Sequence, residues 1–86
     1  MSAATPRRKE TLDIPCGSEA VARIVMEAIR VEADDGPGDV KTKLAVDGQS
    51  LHIHLDAPDE VELKATKFSL LRLSGAARRV AEIARA

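Results

Sequence analysis

The chain reads as an α+β domain: a β-α-β-β-α order, with a three-stranded antiparallel sheet and two helices on one face. Three observations predict this. Val40–Val46 and Gln49–Asp56 alternate apolar and polar residues on either side of Asp47-Gly48, the arrangement that marks a β-hairpin. Two other stretches, Glu19–Glu32 and Asp59–Ala86, repeat apolar residues at helical spacing. Finally, all these stripes are buried together most simply when both helices cover the single apolar face of the sheet.

Residues 1–10 are expected to form a flexible N-terminal tail and residues 11–86 a single domain. Pro6 discourages regular structure, and Arg7, Arg8 and Lys9 read as a solvated basic arm. No apolar run follows them, so the start does not read as a secretory signal. Thr11–Pro15 is a short strand with Leu12 and Ile14 on one face, ended by Pro15. Ser18 is the candidate N-cap of the first helix, and Glu19 follows in its first turn, where the helix dipole favours negative charge. Val21, Ile24, Val25, Ala28 and Ile29 form its expected core stripe, running to about Glu32. Residues 33–39 make a loop around Gly36-Pro37-Gly38.

In the hairpin, Asp47-Gly48 as the two-residue turn sets Val46 opposite Gln49, Leu44 opposite Leu51 and Thr42 opposite Ile53. Val40, Leu44, Val46, Leu51, Ile53 and Leu55 then share one face, and Lys41, Lys43, His52, His54 and Asp56 the other. Pro58 in the first turn and the Asp59…Glu62 capping spacing open the last helix.

That helix carries two stripes. Leu63, Leu70, Leu73, Ala77, Val80, Ala81 and Ala84 are aliphatic and suit the core. Val61, Ala65, Phe68, Arg72, Ala76, Arg79 and Ile83 form a second stripe in which two arginines interrupt apolar residues. One greasy face is enough to join a core, and a second one of this mixed kind is the composition of a partner-facing surface. The open edge of a three-stranded sheet points the same way.

Composition bounds the chemistry. Of 86 residues, 44% are hydrophobic and 31% charged, with a net charge of −1, so the chain is not a globally basic nucleic-acid binder. Phe68 is the only aromatic, and a sheet that reads RNA by stacking needs more than that. The lone Cys16 can form no internal disulfide and supplies no Cys-based zinc site; it reads as a small hydrophobe in a reducing compartment. No run is long enough to span a membrane. His52-x-His54-x-Asp56 places three metal-capable side chains on one strand face, yet Lys41 and Lys43 beside them would repel a cation, and no metal or other cofactor is expected. No serine or cysteine has a placed histidine, and the Gly-Pro-Gly loop lacks the lysine of a phosphate loop. The chain is not expected to be an enzyme.

From about Thr11 to Ala84 the pattern resembles the small Pcc-type subunit of the KEOPS complex, the CTAG/Pcc family. The resemblance rests on the strand ending in Pro15, the helix SEAVARIVMEAIRVE, the hairpin VKTKLAVDGQSLHIHLDAPD and the run Leu63-Lys64-Ala65…Ser69-Leu70-Leu71-Arg72-Leu73. The sequence departs from that family where Lys67-Phe68 precedes the serine and where Leu73 replaces a common aromatic.

The resemblance implies a non-catalytic subunit of the machinery that makes N6-threonylcarbamoyladenosine at position 37 of tRNA. Its helices would bind a Kae/TsaD-type ATPase subunit, it would dimerise with a second copy or a paralogue, and it would touch tRNA weakly or indirectly. An archaeal, cytoplasmic source follows from the same resemblance. Ser69, Leu71 and Arg72 match the family run; helix geometry adds Phe68, Gly75, Arg79 and Ile83 as partner-binding residues. Lys41, Lys43, His52 and His54 are the candidate tRNA contacts. The rival reading is a stand-alone RNA-binding module that uses this Lys/His sheet face.

Overall fold

The structure, a computed structural model, describes residues 7–34 and 39–85. Its elements are β1 (Arg8–Pro15), α1 (Glu19–Asp34), β2 (Lys41–Asp47), β3 (Ser50–Ala57) and α2 (Glu60–Arg85), in the order read from the sequence. β3 lies in the middle of the sheet, antiparallel to β1 on one side and to β2 on the other. Both helices pack on the same apolar face, α1 over β2 and β3, α2 over β3 and β1, and they also pack against each other. No helix among the described residues is long and apolar enough to cross a membrane.

β1 begins at Arg8, three residues before the expected Thr11, because Arg8, Lys9 and Glu10 find ladder partners in Ala57, Asp56 and Leu55. Residues 1–6 of the expected tail lie outside the described residues. α1 continues through Asp34, into the stretch expected to be loop; residues 35–38 of that loop also lie outside.

The hairpin corrects the expected register by two residues. Asp47 pairs with Ser50, so the loop is Gly48-Gln49, and Val46, Leu44 and Thr42 face Leu51, Ile53 and Leu55. Gly48 has φ 62°, and no described non-glycine residue has a positive φ. A loop led by glycine confines the left-handed conformation to the residue without a Cβ, whereas an Asp-Gly loop would place Asp47 there too. An even slip leaves every side chain on its expected face.

Both helix starts are capped by side chains. Ser18 Oγ accepts the Val21 N–H at 3.1 Å, and Asp59 Oδ1 accepts the Glu62 N–H at 2.8 Å, each satisfying a donor that has no partner within its helix. Pro58 precedes this cap rather than standing in the first turn.

Leu12, Leu51, Ile53, Leu55 and Ala57 from the sheet join Val21, Ala22, Val25 and Ile29 from α1 and Leu63, Leu70 and Ala81 from α2 in one core. Each helix is turned slightly from its expected phase. Ile24 and Ala28 of α1 are exposed and Ala22 is buried instead; Val80 and Ala84 of α2 are exposed and Ser74 is buried. Each helix has more apolar positions than one face can bury, so contact between the helices selects the phase. Cys16 is buried, with its Sγ 3.4 Å from the Ile14 carbonyl, and burial pushes its thiol pKa up against the opposing pull of Arg78.

Candidate partner-docking surface

α2 is 26 residues long, about 39 Å at 1.5 Å per residue. At about 100° per residue, Val61, Phe68, Arg72, Gly75, Arg79 and Ile83 fall within an arc of roughly 80° on the side opposite the core. Val61, Phe68 and Ile83 are 78%, 60% and 76% exposed, so the apolar part of this stripe is uncovered along most of the helix. Ser69 and Leu71 are also exposed but stand on opposite flanks of the stripe. The seven residues singled out from the sequence thus form a central row of five with one neighbour on each side.

The charges on α2 divide in the same way. Lys64 lies 3.5 Å from Glu60, Lys67 2.7 Å from Glu10 and Arg78 3.5 Å from Glu82. Arg72 and Arg79 have no carboxylate within ion-pair reach among the described residues. The two arginines of the outer stripe therefore carry their charge without an ion pair among the described residues, on stems set among apolar side chains. Gly75 lies between them, and a Cβ added there would meet nothing within 4 Å. Nothing in the chain's own packing requires glycine at this point.

Sequence reasoning missed part of the exposed apolar surface. Val31 and Ile24 on α1 and Val80 on α2 are 63%, 43% and 67% exposed. Their signal was present as an apolar arc on α1 broader than the roughly 100° that one buried face needs.

The outer face of the sheet is polarised. Across the strands, Lys9 and Lys41 flank Asp56, Thr11 and Lys43 flank His54, and Asp13 and Ala45 flank His52. Lys9, Thr11, Lys41, Lys43, His54 and Asp56 border a shallow recess of about 680 Å³. Three of the four candidate tRNA contacts are gathered there; His52 is not. Its Nε2 lies 3.7 Å from Asp13 and 3.8 Å from Asp47, at the acidic end of the face. His54 Nδ1 is hydrogen-bonded to Thr11 Oγ1 at 3.0 Å.

Arg7 closes the basic end. Its guanidinium donates to Asp56 Oδ1 at 2.6 Å and to the Asp39 and Asp56 carbonyls at 2.6 and 3.1 Å. The Arg7 hydrogen bond holds the Asp56 carboxyl below the usual carboxylate range, with the charges of Arg7, Lys9 and Lys41 adding to it. Arg7 was expected to be solvated; it instead fastens the start of β1 to the far side of the sheet. His52, His54 and Asp56 turn to different partners, and among the described residues no three His, Cys, Asp or Glu side chains are grouped to hold a metal ion.

These features define a class: a small α+β domain whose sheet carries two helices on one face and whose last helix leaves an apolar, arginine-bearing side uncovered. A family model described as Transcription factor Pcc1 matches residues 9–82, which covers all five elements but for the ends of the first and last. The chain belongs to the Pcc1 family, the family of the small, non-catalytic KEOPS subunit. Among curated proteins, no sequence matches the chain.

Proposed function

We propose that this chain is a dimerisation and scaffold subunit of KEOPS, supporting N6-threonylcarbamoyladenosine formation at position 37 of tRNA in the cytoplasm of an archaeon. It binds a Kae/TsaD-type ATPase subunit through its helices, and that ATPase does the chemistry. The observation that carries this reading is the outer stripe of α2: exposed Val61, Phe68 and Ile83 with Arg72 and Arg79 unpaired between them. A helix of the partner with apolar residues and carboxylates at matching spacing would bury the former and pair the latter.

The chain's own contribution is rigidity. α2 is held by a capped N-terminus, by Leu63, Leu70 and Ala81 in the core, and by Arg78, which donates to the Pro15 carbonyl at 3.0 Å. A partner docking on its outer side therefore meets a preformed surface with little ordering cost. The basic recess supports a weak contact with tRNA phosphates by Lys41, Lys43 and His54. Asp13, Asp47 and Asp56 on the same face, and the lack of an exposed aromatic there, weigh against a stand-alone RNA-binding module.

The test is affinity capture of the tagged chain from its own cells. A Kae/TsaD-type ATPase should be recovered with the wild-type chain and lost with Arg72→Glu, while the circular dichroism and melting of the variant stay as in wild type. Normal recovery with the variant would remove the outer stripe as the interface.

A further inference from the structure

The tip of the hairpin carries a chemistry that docking on α2 does not use. Asp47-Gly48 is an Asp-Gly pair, in which the glycine nitrogen can attack the aspartyl carboxyl because no Cβ stands in its way. Asp35-Gly36 is the other such pair in the sequence, and it lies outside the described residues.

Three features set Asp47 apart. The reacting groups are open: the Asp47 side chain is 84% exposed, Gly48 has φ 62°, and a Cβ built on Gly48 would meet nothing within 4 Å. The nucleophile is uncommitted as well. Asp47 pairs with Ser50 in the ladder, Gly48 is the first loop residue, and among the described residues its N–H donates no backbone hydrogen bond. Finally, a proton donor stands on the neighbouring strand. His52 Nε2 lies 3.8 Å from Asp47 Oδ2, with Asp13 Oδ1 on its other side at 3.7 Å. Protonated imidazole donates from both nitrogens and is the side chain most often used as a general acid.

The chemistry balances without an oxidant or reductant. The Gly48 nitrogen bonds to Asp47 Cγ and releases its proton. Oδ2 takes a proton from His52 and leaves as water, which closes a five-membered succinimide. Water then opens the ring. Addition at Cγ restores Asp47, whereas addition at the main-chain carbonyl carbon breaks its bond to the Gly48 nitrogen. The chain then runs through Cβ and Cγ, and the former main-chain carbonyl becomes a free carboxylate. One water is lost and one is gained.

We propose that Asp47-Gly48 is a self-modifying site at which His52 assists conversion of Asp47 to isoaspartate, and that the new carboxylate is a substrate for methyl esterification by S-adenosylmethionine. In that transfer the methyl group passes from the sulfonium to a carboxylate oxygen and leaves a neutral thioether. Isomerisation lengthens the main chain by one methylene between the residue paired with Ser50 and the loop. It thereby disturbs the Gln49 carbonyl that accepts the Cys16 N–H at 2.9 Å. The mark falls at the acidic end of the sheet, away from the basic recess and from the outer side of α2.

The experiment ages the full chain in water enriched in heavy oxygen and maps both Asp-Gly pairs by mass spectrometry. Digestion uses a protease that cuts before aspartate and not before isoaspartate, and each passage through the succinimide leaves one heavy oxygen. Asp47 should convert faster than Asp35. His52→Gln should slow Asp47 on the order of tenfold, below the full effect of a general acid in hydrogen-bond contact, and leave Asp35 unchanged. In urea that difference should vanish. Gly48→Asn adds a Cβ on a residue that tolerates positive φ and should suppress conversion at Asp47 alone. Incubated folded with an isoaspartyl methyltransferase and labelled S-adenosylmethionine, the aged wild-type chain should take up more methyl groups than the aged Gly48→Asn chain. Conversion of Asp47 no faster than that of Asp35, or as fast in His52→Gln as in wild type, would overturn the inference. Isoaspartate at Asp47 that takes no methyl group in the folded chain would overturn its role as a substrate.

Discussion

Phe68 and Leu70 are two residues apart on α2 and face in opposite directions, which lets one pair of substitutions separate folding from docking. Leu70 is 3% exposed, and Leu70→Ala should cost about 2–5 kcal/mol of stability. For a domain of this size that lowers the melting temperature by roughly 8 °C or more. Phe68→Ala removes a side chain of about 200 Å² of which roughly 120 Å² faces solvent; at about 25 cal/mol per Å², its burial under a partner contributes about 3 kcal/mol. The isolated Phe68→Ala chain should therefore melt within about 4 °C of wild type, while its affinity for the ATPase subunit falls about 150-fold. Thermal unfolding by circular dichroism and titration calorimetry against the purified ATPase read the two quantities. The reasoning is refuted if Phe68→Ala binds as tightly as wild type, or if it unfolds the chain as Leu70→Ala does.

Three further outcomes follow from single contacts. Gly75→Ala adds a Cβ into open space in a helix interior and should stabilise the isolated chain by about 1 kcal/mol in urea unfolding; destabilisation would mean that the chain's own packing needs the glycine. Ser74 Oγ is buried without a hydrogen-bond partner, so Ser74→Ala should leave stability unchanged or raise it by up to about 1 kcal/mol, and a loss larger than that would reveal a partner for the hydroxyl. Asp56 has a lowered pKa in the folded chain, chiefly through Arg7, so its stabilisation is complete above the unfolded carboxylate value and is lost as pH falls through the folded one. Arg7→Gln should raise the Asp56 pKa measured by NMR and flatten the acid limb of stability; an unchanged Asp56 titration would contradict the role given to Arg7.

The parts of the fold that were legible in the sequence are those set by local rules. Alternation in the two hairpin strands, Ser18 and Asp59 at their caps, and the helical repeat of leucines each act over a few residues, and all appear in the structure. Positions decided by distant partners were less legible. Arg8–Glu10 become strand because β3 is long enough to pair them, and the register slips by two because the left-handed turn position falls to Gly48. Ile24 gives way to Ala22 in the core, and Val80 to Ser74, because contact between α1 and α2 chooses among neighbouring stripes.

The candidate site divides in the same manner. The exposed row of Phe68, Arg72, Arg79 and Ile83 was readable because it is one phase of one helix. The separation of His52 from Lys41, Lys43 and His54 was not, because it depends on Asp13 and Asp47 arriving from the two edge strands.

The central claim is that the uncovered side of α2 holds a catalytic subunit. Sedimentation velocity of the purified chain mixed with the Kae/TsaD-type ATPase of the same cell tests it most directly. The account predicts a stoichiometric complex at micromolar concentration, dissociated by Arg72→Glu and by Phe68→Ala but kept by Lys64→Ala, whose side chain pairs with Glu60 off the stripe. Two species that sediment independently at tens of micromolar, or a complex indifferent to Arg72 and Phe68, would contradict it.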